Sequence, residues 1–257
     1  MGIKDCAILT SLIINFSVVL DASETLYRRN QYKNDSLLSF KSLSFLTKYN
    51  LIQKFFLIDN FIATNIFKLI IGFIGLFYFS PYILTIVLFL QLISFIRHKS
   101  ANSAADQMQI IILFGITIFA YDVNSVVNQA SIYFIAVQST ISYVTAGYHK
   151  ITSPVWRSGN AILQVMGTDT YGHIPFRDFL FRNRLIVYLL AWGTILLDFF
   201  FFLALISPVI AMIFIALGTL FHIANAYFMG LNSFLYVFPA SYPCILYTSI
   251  VIFNFLF

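Results

Sequence analysis

Apolar residues run along this chain in long blocks separated by short polar breaks. The blocks fall at residues 6–24, 57–78, 80–96, 107–121, 125–146, 185–206, 209–228 and 233–256. A helix crossing a bilayer needs about 20 such residues, and the shorter blocks suit tilted or re-entrant segments. No period-two alternation with closely spaced turns runs through them. The pattern therefore excludes a closed β-barrel and predicts an all-α fold, a polytopic transmembrane helical bundle of about eight helices. Pro81 and Pro208 stand at the shortest breaks, where a missing N–H costs least, and predict tight hairpin turns. No internal repeat or low-complexity tract is visible, so residues 1–257 are read as one transmembrane domain.

Composition identifies the solvent. Hydrophobic residues make up 60% of the chain and charged residues 10%, against about 25% charged in a soluble domain. That excludes a soluble globular protein and makes the lipid bilayer the first partner. The formal net charge of +5 then reports basic loops at a membrane surface, not nucleic-acid binding. Two polar segments are expected outside the hydrocarbon: 25–56, with Arg28, Arg29, Lys33, Lys41, Lys48 and Lys54, and 147–184, with Lys150, Arg157, Arg177, Arg182 and Arg184. Counting through the spans puts Arg97, His98 and Lys99 with them. Of the 15 Lys and Arg residues, thirteen then share one side, with Lys4 opposite and Lys68 inside the membrane. The positive-inside rule places those loops in the cytoplasm of a multi-pass cell-membrane protein, with both termini outside. The first apolar block follows Lys4, ends at Asp21 and shows no small-x-small cleavage pattern, so it is expected to remain as the first helix. Cys6 and Cys244, in apolar runs near opposite ends, read as small apolar residues.

Where charge is scarce, each ionisable residue carries information. The stretch Tyr143 to Gly159, YVTAGYHKITSPVWRSG, ends an apolar block, sets His149 and Lys150 at its boundary, and breaks at Pro154 before Trp156. A lysine at the mouth of an aromatic bundle is discouraged from carrying charge, and the neutral amine is a general base. The alternative is a lysine that snorkels to headgroups beside an interfacial tryptophan. From Leu185 to Phe257 the only formally charged side chain is Asp198, accompanied by one histidine, His222. His222 and Asn225, three residues apart, share a helical face; Tyr227, Asn232 and Ser233 follow. That stripe could position a proton or hydrogen-bond a quinone-like carbonyl, or could clamp helices together. Asp198 could pair with Lys150, a loop arginine or His222. Asn102, Ser103 and Asp106 suit a helix cap. No phosphate-binding glycine loop, HExxH, CxxC or G-x-S-x-G occurs, and the four histidines are scattered, so ATP-driven transport, metalloprotease chemistry and a dedicated metal site are disfavoured.

Ala146-Gly147-Tyr148-His149-Lys150, then Trp156 and Gly159, then Phe221-His222 with Asn225 and Asn232-Ser233, together resemble the HTTM superfamily, the transmembrane module of vitamin K-dependent gamma-glutamyl carboxylases. The resemblance covers residues 100–257, with the N-terminal part agreeing in hydropathy alone. It implies that Lys150 matches a lysine base that deprotonates a vitamin K-like quinol. His149 stands where the carboxylases have the first lysine of a pair, and His222 with Asn225 matches an intramembrane His-x-x-Asn. On this resemblance Lys150 and His222 are the catalytic residues, supported by Asn225, Asp198, Trp156, His149 and Tyr143. The chain as read ends at Phe257, close to its last apolar helix, without the large soluble C-terminal portion of the carboxylases. The expectation is therefore a short bacterial member similar to the sporulation-delaying protein B type. That type implies a role in maturing or exporting a secreted, toxin-like peptide, with a small partner protein. A quinol-dependent, carboxylase-like enzyme and a non-enzymatic chaperone, immunity or transport protein are the other readings.

Overall fold

The structure is a computed structural model that describes residues 1–33, 38, 57–98 and 101–257. Most of the predicted polar segment 25–56, including Lys41, Lys48 and Lys54, lies outside the described residues, as does Lys99.

Every regular element among the described residues is a helix. α1 (Ile3–Tyr27) runs into a 3-10 turn at Arg29–Tyr32, and is followed by α2 (Ile58–Gly75), α3 (Pro81–His98), α4 (Ala104–Ala120) and α5 (Ser125–Thr152). Three short helices come next, α6 (Pro154–Arg157), α7 (Asn160–Met166) and α8 (Ile174–Arg182), within the segment read as the second polar loop. The chain closes with α9 (Arg184–Phe199), a 3-10 turn at Phe201–Leu205, α10 (Pro208–Met229) and α11 (Asn232–Leu256).

Each of the eight predicted apolar blocks holds a helix, but they are not equivalent. α1, α2, α3, α10 and α11, five helices, are long and apolar enough to cross a membrane, and α8 with α9 makes a sixth if that pair, bent by 111°, is one span. α4 is apolar but has only 17 residues. α5 has 28 residues but carries Asn128, Gln129, Gln138 and several hydroxyls, which lower its apolarity. The protein is a membrane protein built from apolar helices that satisfy their own backbones.

Local sequence explains the helix ends. Pro81, Pro154 and Pro208 open α3, α6 and α10, at the first helical position, where the missing N–H has no partner to lose. Ser103 and Asp106 form a reciprocal capping box on α4. Gly230, at φ 68°, ends α10 with its N–H bonded to the Ala226 carbonyl. Pro239 and Pro243 lie inside α11.

The chain divides into two compact units. One comprises Ala7–Ser131; the other comprises Met1–Cys6 and Ile132–Phe257. In the first, Gly75 of α2 lies so close to α1 that a Cβ there would stand 2.5 Å from Asn15 Oδ1. The same unit buries an ionic network. Lys68 Nζ donates to Asp21 Oδ2 at 2.7 Å, Ser94 Oγ at 2.8 Å and Gln91 Oε1 at 3.1 Å. Gln91 continues to Gln109, and Gln109 to Ser17. Arg97, also buried, stands 5.4 and 5.5 Å from the centroids of the Tyr32 and Phe61 rings, which themselves touch at 5.1 Å. Burial pushes the Tyr32 phenol up to about 12, and its hydroxyl shares a 2.8 Å hydrogen bond with His98 Nε2. In the second unit the fold brings together two residues that the sequence separates widely: Cys6 and Cys244, both fully buried, have their sulfurs 3.7 Å apart.

Candidate functional site

The second unit assembles its polar residues along one stripe of α5. Ser139, Tyr143, Gly147 and Lys150 follow one another at helical spacings of four, four and three, so they share a face. Ser139 Oγ meets Ser241 Oγ at 2.7 Å. Tyr143 hydroxyl meets His222 Nε2 at 2.6 Å and Tyr242 hydroxyl at 2.8 Å. Gly147 lets α5 and α9 touch backbone to backbone, since a Cβ there would lie 2.3 Å from Phe199 N. That close approach delivers Lys150 to Asp198: Nζ donates to Oδ2 at 2.5 Å, with the two side chains only 14% and 2% exposed.

Aromatic rings enclose this pair. Lys150 Nζ stands 4.9 Å from the Trp156 ring centroid and 5.1 Å from that of Phe221, near enough for each ring to attract the cation. Trp156 is placed by the short helix that Pro154 starts, and Trp192 Nε1 of α9 donates to the Arg157 carbonyl at 3.2 Å, tying that helix down. Phe221 precedes His222 in α10, and its ring lies within reach of both groups, 5.1 Å from Lys150 Nζ and 5.3 Å from the imidazole centroid. His222 is buried, stacked on Phe238 with centroids 5.0 Å apart. Tyr143 stacks on Phe201 at 3.8 Å and 9°. Gly218 leaves room for this hydroxyl cluster, because a Cβ there would come within 2.8 Å of the Tyr242 hydroxyl.

Two buried polar atoms in this cluster have no hydrogen-bond partner, Asp198 Oδ1 and His222 Nδ1. Buried polar atoms are nearly always paired, and an unpaired one costs about 1 to 3 kcal/mol. Both are therefore places where a ligand's polar group would be welcome. No group of three or more His, Cys, Asp and Glu side chains able to hold a metal ion occurs among the described residues.

Of the residues singled out from the sequence, Lys150, Asp198 and Trp156 meet directly, and Tyr143 meets His222. His149 is exposed, with its ring beside Tyr148 at 5.8 Å. Asn225, half-buried, accepts the Leu231 N–H on its carbonyl at the end of α10. Sequence reasoning quoted Phe221 only as the neighbour of His222 and passed over Tyr242 and Phe201. Tyr242 carried a signal, a phenol amid an apolar helix and next to a proline. Phe201 carried none among the 30 phenylalanines in the chain. Lys68, read as an intramembrane charge, and Asp21, read as the end of a block, form an ion pair in which Lys68 is fully buried and Asp21 is 23% exposed.

Comparison of the chain with models of known families, with curated proteins and with solved structures finds no match.

Proposed function

We propose that this chain is a multi-pass protein of the cell membrane, of the HTTM type, that acts in the maturation or export of a secreted peptide through Lys150 as a membrane-embedded base. In this reading all eight apolar blocks pass the bilayer and the basic segments face the cytoplasm. The observation that carries it is the Lys150–Asp198 pair, 2.5 Å long, almost fully enclosed and faced by Trp156 and Phe221, with unpartnered Asp198 Oδ1 and His222 Nδ1 beside it.

The chemistry follows from that geometry. A lysine acts as a base only after its ammonium has delivered a proton, and Asp198 is the group in direct contact to receive it. The amine then accepts a proton from a substrate or a quinol seated against the aromatic rings. His222, held through Nε2 by Tyr143, offers Nδ1 to the oxygen on which charge develops. A bound quinol would supply an acidic hydroxyl at this position.

The test compares secreted peptides by mass spectrometry from cells producing the unaltered chain, Lys150→Arg or Lys150→Ala. Lys150→Arg keeps the ion pair but not a base that can be deprotonated. The expected result is normal abundance of the Arg variant in the membrane with loss of the mature peptide. A mature peptide of unchanged mass and amount from the Arg variant would remove the base. If the polar residues only hold helices together, His222→Ala lowers abundance and activity in proportion, whereas the site proposed here loses activity with protein still present.

A further inference from the structure

A second polar constellation lies in the same unit, away from Lys150. A cleft of about 280 Å³ is lined by Asn160, Gln164, Arg177, Phe181 and Arg184, among others. Arg177 belongs to α8 and Arg184 is the first residue of α9, so the sharp bend between these helices brings them to one place. Both guanidinium groups face the same ring: their carbons stand 5.9 and 5.7 Å from the Phe181 centroid. Arg184 Nη1 also donates to Asn160 Oδ1 at 3.4 Å, linking the cleft to α7. Arg177 bonds Asp178, and Arg184 has no carboxylate partner among the described residues. The floor is firm: Leu163, Leu180 and Val187 form a buried core beneath α7, α8 and α9.

Two guanidinium groups held on one ring, of which only Arg177 has a carboxylate, Asp178, leave positive charge that an anion would neutralise. Arginine forks match phosphate oxygens in geometry as well as charge. The source of that phosphate follows from α8. It turns by 111° from α9, as a helix lying along a membrane surface turns from one entering it. It exposes Ile174, Phe179 and Phe181 beside Arg177 and Arg182, the mixture that settles at headgroup depth. We propose that this cleft binds the phosphate of an anionic phospholipid headgroup, held between Arg177 and Arg184 with the Asn160 and Gln164 amides lining the same space.

Native mass spectrometry of the full chain in neutral detergent tests this with phosphatidylglycerol, phosphatidylcholine and inorganic phosphate as probes. Phosphatidylglycerol is expected to be retained in preference to phosphatidylcholine, and the preference to persist in inorganic phosphate. Arg177→Gln with Arg184→Gln should reduce retention roughly 25-fold, at about fivefold per basic residue. The charge-preserving Arg177→Lys/Arg184→Lys variant should stay within about fivefold of the unaltered chain, which separates lost charge from lost folding. Equal retention of the two lipids, or unchanged phosphatidylglycerol retention in the Gln variant, would overturn the site. Complete displacement by inorganic phosphate would overturn the lipid as its source.

Discussion

At residue scale, the candidate site depends on Gly147 as much as on the charged groups it brings together. Gly147 sits one turn before Lys150, and its missing Cβ is what allows the α5 backbone to lie against Phe199. Gly147→Ala must push α5 and α9 apart, because backbone atoms, unlike a flexible side chain, cannot move aside singly. Overpacking of this kind costs about 1 to 3 kcal/mol. The expected outcome is a lower unfolding midpoint in detergent together with a weakened Lys150–Asp198 bond and less mature peptide from producing cells. Gly193, whose added Cβ would meet nothing within 4 Å, is the control: Gly193→Ala should leave product unchanged and hold or slightly raise the midpoint, as alanine favours a helix interior over glycine. The sequence already named Ala146 to Lys150 as one motif; what it could not reveal is that the glycine is the spacer and Asp198 the group it admits. Three partners were open for Asp198, and only the crossing of α5 and α9 selects Lys150.

At element scale, helix boundaries were legible wherever a local chemical rule governs them. Prolines mark the starts of α3, α6 and α10, and the Ser103 and Asp106 spacing marks the start of α4, because these signals act within one turn. Ser103 Oγ accepts the Asp106 N–H while Asp106 Oδ2 accepts the Ser103 N–H. Ser103→Ala removes half of that exchange, worth about 1 kcal/mol. Amide hydrogen exchange in the first turn of α4 is therefore expected to rise roughly fivefold, with later turns unaffected. Less legible was how the apolar blocks divide between crossing and other helices. Length sets α4, with 17 residues, apart, but it does not distinguish the polar-studded α5, with 28, from α10 and α11. The bend between α8 and α9 left no mark beyond Asn183, since its direction is set by packing on the Leu180 and Val187 core.

At the scale of the whole molecule, each compact unit holds, among the described residues, a lysine–aspartate pair between helices, and the two differ in what surrounds them. Lys68 uses its three donors on Asp21, Gln91 and Ser94, a saturated arrangement that suits a structural clamp across α1, α2 and α3. Asp198 keeps one oxygen without a partner, and Lys150 faces aromatic rings, an arrangement with capacity left for a ligand. The contrast can be measured. Breaking a buried pair on one side strands a charge and costs about 3 to 5 kcal/mol, whereas replacing both partners with apolar residues is often neutral. Lys68→Met and Asp21→Leu are each expected to lower the unfolding free energy of the detergent-purified chain by about that amount, and the double variant to recover most of it. If Lys68 is only a clamp, the double variant also keeps producing mature peptide. Lys150→Met with Asp198→Leu should likewise recover stability but produce none. The same substitution pattern in two units thus yields folded protein twice and function once, and a functional Lys150/Asp198 double variant would demote the second pair to a clamp as well.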